Sequence, residues 1–178
     1  MCVVRTVNLS ERTVCFTGHR KIPTEKTEII LQCLRATVIR LIESGYLYFG
    51  TGGALGFDTL AAQTVLDLKQ HYPQIKLILV LPCLSQSDSW CERDKQVYMD
   101  IKERADKVVY VSQIYTKGCM HKRNRYLVDN SSVCVCYLTE NKGGNAYTVN
   151  YASSKDKMII NVADESLLVY NFHNDFNR

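Results

Sequence analysis

The chain has 178 residues, of which 46% are hydrophobic and 22% charged, and its formal net charge is +4. That length suits one domain, residues 1–178, with a full core, and the composition is that of an ordinary globular protein. No apolar run approaches the ~18 residues of a membrane-spanning helix, and a charge of +4 fits an anionic ligand but is too small to argue for nucleic acid by itself.

The opening stretch, MCVVRTVNLSERT, lacks an apolar core of signal-peptide length. None of the eight cysteines forms Cys-x-x-Cys. Cys134 and Cys136 alternate in VCVCYL and share one strand face, and Cys15 and Cys83 sit in or beside other apolar runs. These are thiols used as small core residues, which places the chain in the reducing cytoplasm. Cys83, Cys91, Cys119 and His121 match no zinc-finger spacing, so no metal site is expected. Nothing in the pattern calls for a cofactor.

Thr13 to Thr17 is a β-rich run that ends at the polar triplet Gly18-His19-Arg20. Pro23-Thr24 opens a helix, with Thr24 as N-cap and Glu25 in its first turn. Ile30, Leu34, Val38 and Leu41 follow at helical spacing. Ser44-Gly45 ends it, with Gly45 suited to the left-handed position past the last turn. A short strand, Leu47 to Phe49, then leads into Gly50-Thr51-Gly52-Gly53-Ala54-Leu55-Gly56-Phe57-Asp58. The next helix carries Ala61, Ala62, Val65 and Leu66 on one side and stops near Tyr72-Pro73.

Ile75 to Leu81 (IKLILVL) is nearly continuous aliphatic sequence, the pattern of a parallel strand buried on both faces. It ends at Pro82-Cys83. Ser89-Trp90-Cys91-Glu92 reads as a capping box, with Val97, Ile101 and Ala105 beyond it. Lys107 to Val111 is the fourth strand. A helix around Met120 to Val128 precedes the fifth strand, Val133 to Leu138. Gly143-Gly144 opens a helix to about Ser154, and Met158 to Val162 is the last strand. The tail, Asp164 to Arg178, reads as an edge element. Alternation of strands with helices predicts an α/β fold: a Rossmann-like three-layer sandwich around a mostly parallel sheet.

In such a sheet the ligand sits outside the carboxyl ends of the strands, at the switch point of strand order. The unusual residues fall there. Gly50, Gly52, Gly53 and Gly56 lie within seven residues at a strand-to-helix turn, which reads as a phosphate or carboxylate cradle at a helix N-terminus. Neither nucleotide fingerprint fits: Phe57 stands where a P-loop needs Lys, and the glycine spacing is one residue too long for the dinucleotide motif. Arg20 can fork onto an anion. His19 can bind phosphate, serve as acid or base, or cap the loop. Asp58 suits a helix N-terminus and a ribose contact. Trp90 can stack on a base or staple the helix entry. Arg123 and Asn124 belong to a polar group reaching the rim, and Lys142-Gly143-Gly144 is a second anion site. Thr51 and Pro82 complete the expected rim.

Cys-Phe-Thr-Gly-His-Arg at 15–20, Thr-Gly-Gly-Ala-Leu-Gly-Phe-Asp-Thr at 51–59, Leu-Pro-Cys at 81–83, Trp90, Arg123-Asn124, Val128-Asp129-Asn130-Ser131 and Lys142-Gly143-Gly144 together resemble the YpsA/YoqJ-type branch of the SLOG superfamily. The resemblance runs from about residue 12 to residue 162. It implies a Rossmann-like domain that binds nucleotides or nucleotide-derived ligands, and homodimer pairing. The glycine turn is also similar to that of the DNA-processing protein DprA, which is usually larger and more basic, so DNA is not the expected partner.

Met120-His121-x-Arg123 followed by Gly143-Gly144 resembles the LOG phosphoribohydrolases, whose catalytic Glu aligns with Asn150. An Asn supplies no carboxylate. N-glycosidic hydrolysis would therefore need Asp58, Asp88 or Glu92 as substitute, no catalytic residue is assigned, and binding or sensing of a nucleotide is the first reading.

Overall fold

The structure, a computed structural model, describes residues 8–164. After a 3-10 turn at Leu9–Arg12, six strands alternate with five helices. The strands are β1 (Thr13–Gly18), β2 (Tyr48–Thr51), β3 (Lys76–Leu81), β4 (Lys107–Tyr110), β5 (Val133–Tyr137) and β6 (Met158–Asn161). The helices are α1 (Thr24–Glu43), α2 (Phe57–Leu68), α3 (Glu92–Arg104), α4 (Cys119–Asp129) and α5 (Gly143–Ser154). The strand order is β4-β3-β2-β1-β5-β6. Every pairing is parallel. The α/β fold class expected from the alternation is the one observed, and the sheet is parallel throughout.

Alternation along each strand builds two cores. Val14, Phe16, Leu77, Leu79, Leu81, Val133 and Val135 pack with the buried faces of α1, α2 and α3. Their sequence neighbours Cys15, Val80 and Cys134 pack on the other side with Leu127 and Val128 of α4 and Ala152 of α5. Side chains of successive strand residues point to opposite faces, so a sheet apolar at both parities needs helices on both sides. Cys15 and Cys134, paired in register, are wholly buried apolar groups of the smaller core. Fully burying side chains such as Phe16, Phe49 and Leu79 contributes about 1.5–3 kcal/mol each.

Gly45 (φ +94) closes α1 as expected. Its N–H donates to Ile42 O and that of Tyr46 to Leu41 O, satisfying two end carbonyls. Two helix starts differ from expectation. Pro23, not Thr24, is the N-cap of α1, and Thr27 Oγ1 donates back to the Pro23 carbonyl at 3.2 Å. Helix α3 begins at Glu92 with Cys91 as N-cap and no capping box. The Trp90 ring packs edge-on against Tyr98 at 5.3 Å, and Cys91, with extended backbone, separates the turns at 84–89 from the helix. The expected edge element after Asp164 lies outside the described residues.

Candidate functional site

Chain order runs outward from β1 through β2, β3 and β4, then returns to place β5 on the other side of β1. The loops leaving β1 and β5 therefore diverge and leave a crevice between them. A cleft of about 830 Å³ opens there, floored by Phe16, Thr17 and Tyr137 and walled by one face of α4 and the start of α5.

The β1 loop is locked to the β2–α2 turn by two glycines. A Cβ on Gly18 would fall 2.5 Å from Phe57, and one on Gly56 (φ +78) 2.3 Å from the Arg20 carbonyl oxygen. The Phe57 N–H donates to His19 O at 3.1 Å. Gly53 packs on Leu81, and Gly52 lies under the Arg123 guanidinium. The glycine cluster thus spends its missing side chains on close packing. Only Ala54 and Asp58 of that turn line the cleft; Thr51, Gly52 and Gly53 are buried behind it, and Gly56 is half-buried beside the Arg20 backbone. Pro82 is buried just past the end of β3, and Trp90, ahead of α3, packs on its Tyr98; neither lines the cleft.

The second glycine pair is different. Among the described residues nothing lies within 4 Å of a Cβ built on Gly143 or Gly144. They open α5, whose N-cap Lys142 makes no side-chain cap. All three line the cleft. A first turn of this kind directs backbone N–H groups and the positive end of the helix dipole at whatever enters. Asn124 of α4 fixes this turn: its Nδ2 donates to Thr148 Oγ1 at 2.8 Å, and Thr148 Oγ1 donates to Gly144 O at 2.8 Å.

Arg123 and Asp58 form the buried charge pair of the site, Nη1 to Oδ2 at 3.5 Å, with side chains 8% and 7% exposed. Asp58 Oδ2 also accepts the Ala54 N–H at 3.3 Å. Burial pushes the Asp58 carboxyl up, against the pull of Arg123, the Ala54 and Gly52 N–H groups and Arg20. Burial likewise pulls the Arg123 guanidinium down, with Asp58 opposing it. The Arg123 Nε–H has no hydrogen-bond partner among the described residues. His19 Nε2 accepts the Thr139 N–H at 3.0 Å, so the ring proton belongs on Nδ1. Its ring meets Tyr137 edge-on at 5.6 Å. That bond ties the β1 loop to the β5 loop across the cleft.

Among the described residues the lining carries five cationic side chains (Arg20, Lys21, Lys26, Arg123, Lys142) and two carboxylates (Asp58, Glu140). The excess favours anions. Gly18, His19, Arg20, Asp58, Arg123, Asn124, Lys142, Gly143 and Gly144 are brought together as the sequence placed them. Sequence reasoning missed Lys21, Lys26, Glu140 and Thr148. Lys21 and Glu140 adjoin the Arg20 and Lys142 motifs, so proximity was a usable signal. Thr148 sits one helical turn after Gly144. Asp88, Glu92 and Asn150 do not line the cleft. Among the described residues no three His, Cys, Asp or Glu side chains gather as a metal site. No helix there is long and apolar enough to cross a membrane.

The chain is 31% identical over 130 residues to the UPF0398 protein BBR47_29830 of Brevibacillus brevis, covering 71% of this chain and 69% of that one. It is 32% identical over 132 residues to the SPbeta prophage-derived protein YoqJ of Bacillus subtilis, covering 67% and 77%. Among solved structures it resembles DprA of Helicobacter pylori, described with a single-stranded DNA binding mode, at TM-score 0.62 and 19% identity over 97% of this chain and 83% of that one. DprA of Streptococcus pneumoniae matches at TM-score 0.62 and 17% identity, over 85% of this chain and 50% of that one. This chain thus aligns with half the length of the pneumococcal protein. At such identities the likeness is one of fold. The model of the YspA SLOG family matches residues 14–163, a span that takes in the six strands except Thr13 and every loop of the cleft, and the chain belongs to that family.

Proposed function

We propose that the chain binds a nucleotide or nucleotide-derived small molecule in the β1/β5 cleft and acts as a sensing or binding domain. The observation that carries this reading is the open first turn of α5 at Gly143 and Gly144, facing a cleft with five cations against two carboxylates. A phosphate on that turn, with Lys142 and Arg20 beside it, satisfies helix N–H groups and neutralises the excess charge. The sugar then lies toward Glu140 and Thr139, and the base toward the Tyr137 floor.

The test is a thermal-shift panel of nucleotides with base release assayed in the same wells. A ligand that binds the native state alone raises the melting temperature by mass action. A shift without release supports the binding reading. No shift with any nucleotide overturns it.

Hydrolysis of the N-glycosidic bond is the second reading, favoured by one observation: Glu140 is an exposed carboxylate on the cleft rim. Asp58 is a poor candidate, being held by Arg123 and by backbone N–H groups. Base release that is lost in Glu140→Gln would establish this reading. We further place the protein in the cytoplasm, on its seven free thiols among the described residues. The homodimer implied by the family resemblance is tested by light scattering.

A further inference from the structure

Arg123 is fixed but incompletely matched. Its guanidinium lies on Gly52, where no side chain can intervene. Its closest approach to Asp58 is 3.5 Å, Nη1 to Oδ2, long for a charge-assisted hydrogen bond. Its Nε–H lacks an acceptor among the described residues, although a buried donor normally has one. Asp58 for its part comes from the first turn of α2, and the Arg20 charge on the β1 loop acts on both partners. Both side chains line the cleft.

We propose that Asp58 is an exchangeable counter-anion: an oxyanion of the ligand takes over the Arg123 guanidinium, and Asp58 takes a proton from solvent as it is displaced. This deepens the cleft reading above and rests on it. The reasoning is electrostatic. Phosphate-like oxygens can meet a guanidinium in two-pronged fashion at about 2.7–2.9 Å, closer than the 3.5 Å at which Asp58 stands. Once they do, the compensating charge that holds Asp58 ionised is cancelled, and a new negative charge stands beside a desolvated carboxylate. One solvent proton on Asp58 Oδ restores neutrality. The groups facing Asp58 are Arg123 from α4, Arg20 from the β1 loop and the N–H groups of Ala54 and Gly52. Burial already pushes its carboxyl up.

The sign follows by linkage. A ligand that favours the protonated form binds more tightly as pH falls. Inorganic sulfate is the probe, because it keeps its charge across the range. His19 and Glu140 line the same cleft and would give the same sign, so the assay uses a His19→Asn, Glu140→Gln background. In that background, sulfate affinity from titration calorimetry should rise as pH falls from about 8 to about 5, approaching tenfold per unit where one proton is taken up. Adding Asp58→Asn should flatten the profile while sulfate still binds. Should that variant not fold, calorimetry of the background in two buffers of different ionisation enthalpy counts protons directly. About one proton per sulfate supports the exchange, and none overturns it. A slope that survives Asp58→Asn also overturns it, as does nucleotide binding without sulfate binding. Nucleotide binding with no proton uptake sinks the exchange but leaves the cleft reading standing, whereas absence of both ligands sinks both.

Discussion

Arg123 rests on Gly52 so closely that a Cβ at position 52 would fall 1.3 Å from its Nη1. Gly52→Ala must therefore drive the guanidinium off its seat and away from Asp58. Overpacking of this kind costs about 1–3 kcal/mol, read as a lower urea midpoint. Nucleotide affinity should fall roughly tenfold or more, the worth of a charge-assisted hydrogen bond. An unchanged affinity would remove Arg123 from the site. Gly144→Ala is the contrast: the space is open, and an alanine in the first turn should leave stability unchanged or raise it by up to about 1 kcal/mol.

Gly56→Ala should be the more damaging change of the turn. Its Cβ would press on the Arg20 backbone carbonyl, which cannot swing away as a side chain can, and its φ is +78°. The clash and the left-handed backbone together cost about 3 kcal/mol. Chemical denaturation measures it; a loss below about 1 kcal/mol would mean the two loops are not locked as described.

Asn124→Ala removes the donor to Thr148 Oγ1, which in turn holds Gly144 O. The expected loss is about 1 kcal/mol of stability. Because the link positions the first turn of α5, amide exchange of residues 143–146 should quicken. Protection unchanged there would show that α5 is held by its packing alone.

Asp106 sits between α2 and β3, bonded by Lys69 Nζ at 2.6 Å, by the Leu77 N–H at 2.9 Å and by Lys76 Nζ at 3.2 Å. Burial disfavours its charge, but Lys69, the Leu77 N–H and Lys76 outweigh that and hold the carboxyl below its ordinary range. A depressed carboxylate stabilises the fold above its unfolded value, about 3.9, and that contribution is lost as pH falls through the folded one. Asp106→Asn should cost about 1 kcal/mol near neutrality, the upper end for partly exposed pairs. The gap between variant and wild type should close below about pH 4. A gap that persists in acid would mean the loss is not electrostatic.

Among the described cysteines Cys91 alone is exposed, while burial pushes the Cys136 thiol up to about 12. In a Cys2→Ser background, native protein should yield one fast thiol with a disulfide reagent, absent in Cys91→Ser. Several fast thiols would indicate that the small core between α4 and the sheet opens readily.

The strand–helix alternation, the buried strand Ile75 to Leu81 and the end of α1 at Gly45 were legible in the sequence because they depend on local periodicity and local backbone freedom. So was the membership of Arg20, Asp58, Arg123 and the Gly143-Gly144 pair in one rim, because strands of a parallel sheet deliver their following loops to one edge. Which glycines face the cleft was not legible. Gly52, Gly53 and Gly56 read as a cradle, yet their empty side-chain positions are filled by Arg123, Leu81 and the Arg20 carbonyl, groups about 28 to 71 residues away along the chain and adjacent only in the folded state. Gly143 and Gly144, the less conspicuous pair, are the open ones. A glycine's backbone freedom is a property of its own residue; what occupies the space beside it is set by the tertiary packing. The pairing of Asp58 with Arg123 follows the same division: sequence supplied two charges, and only the fold removed them from water and set them 3.5 Å apart.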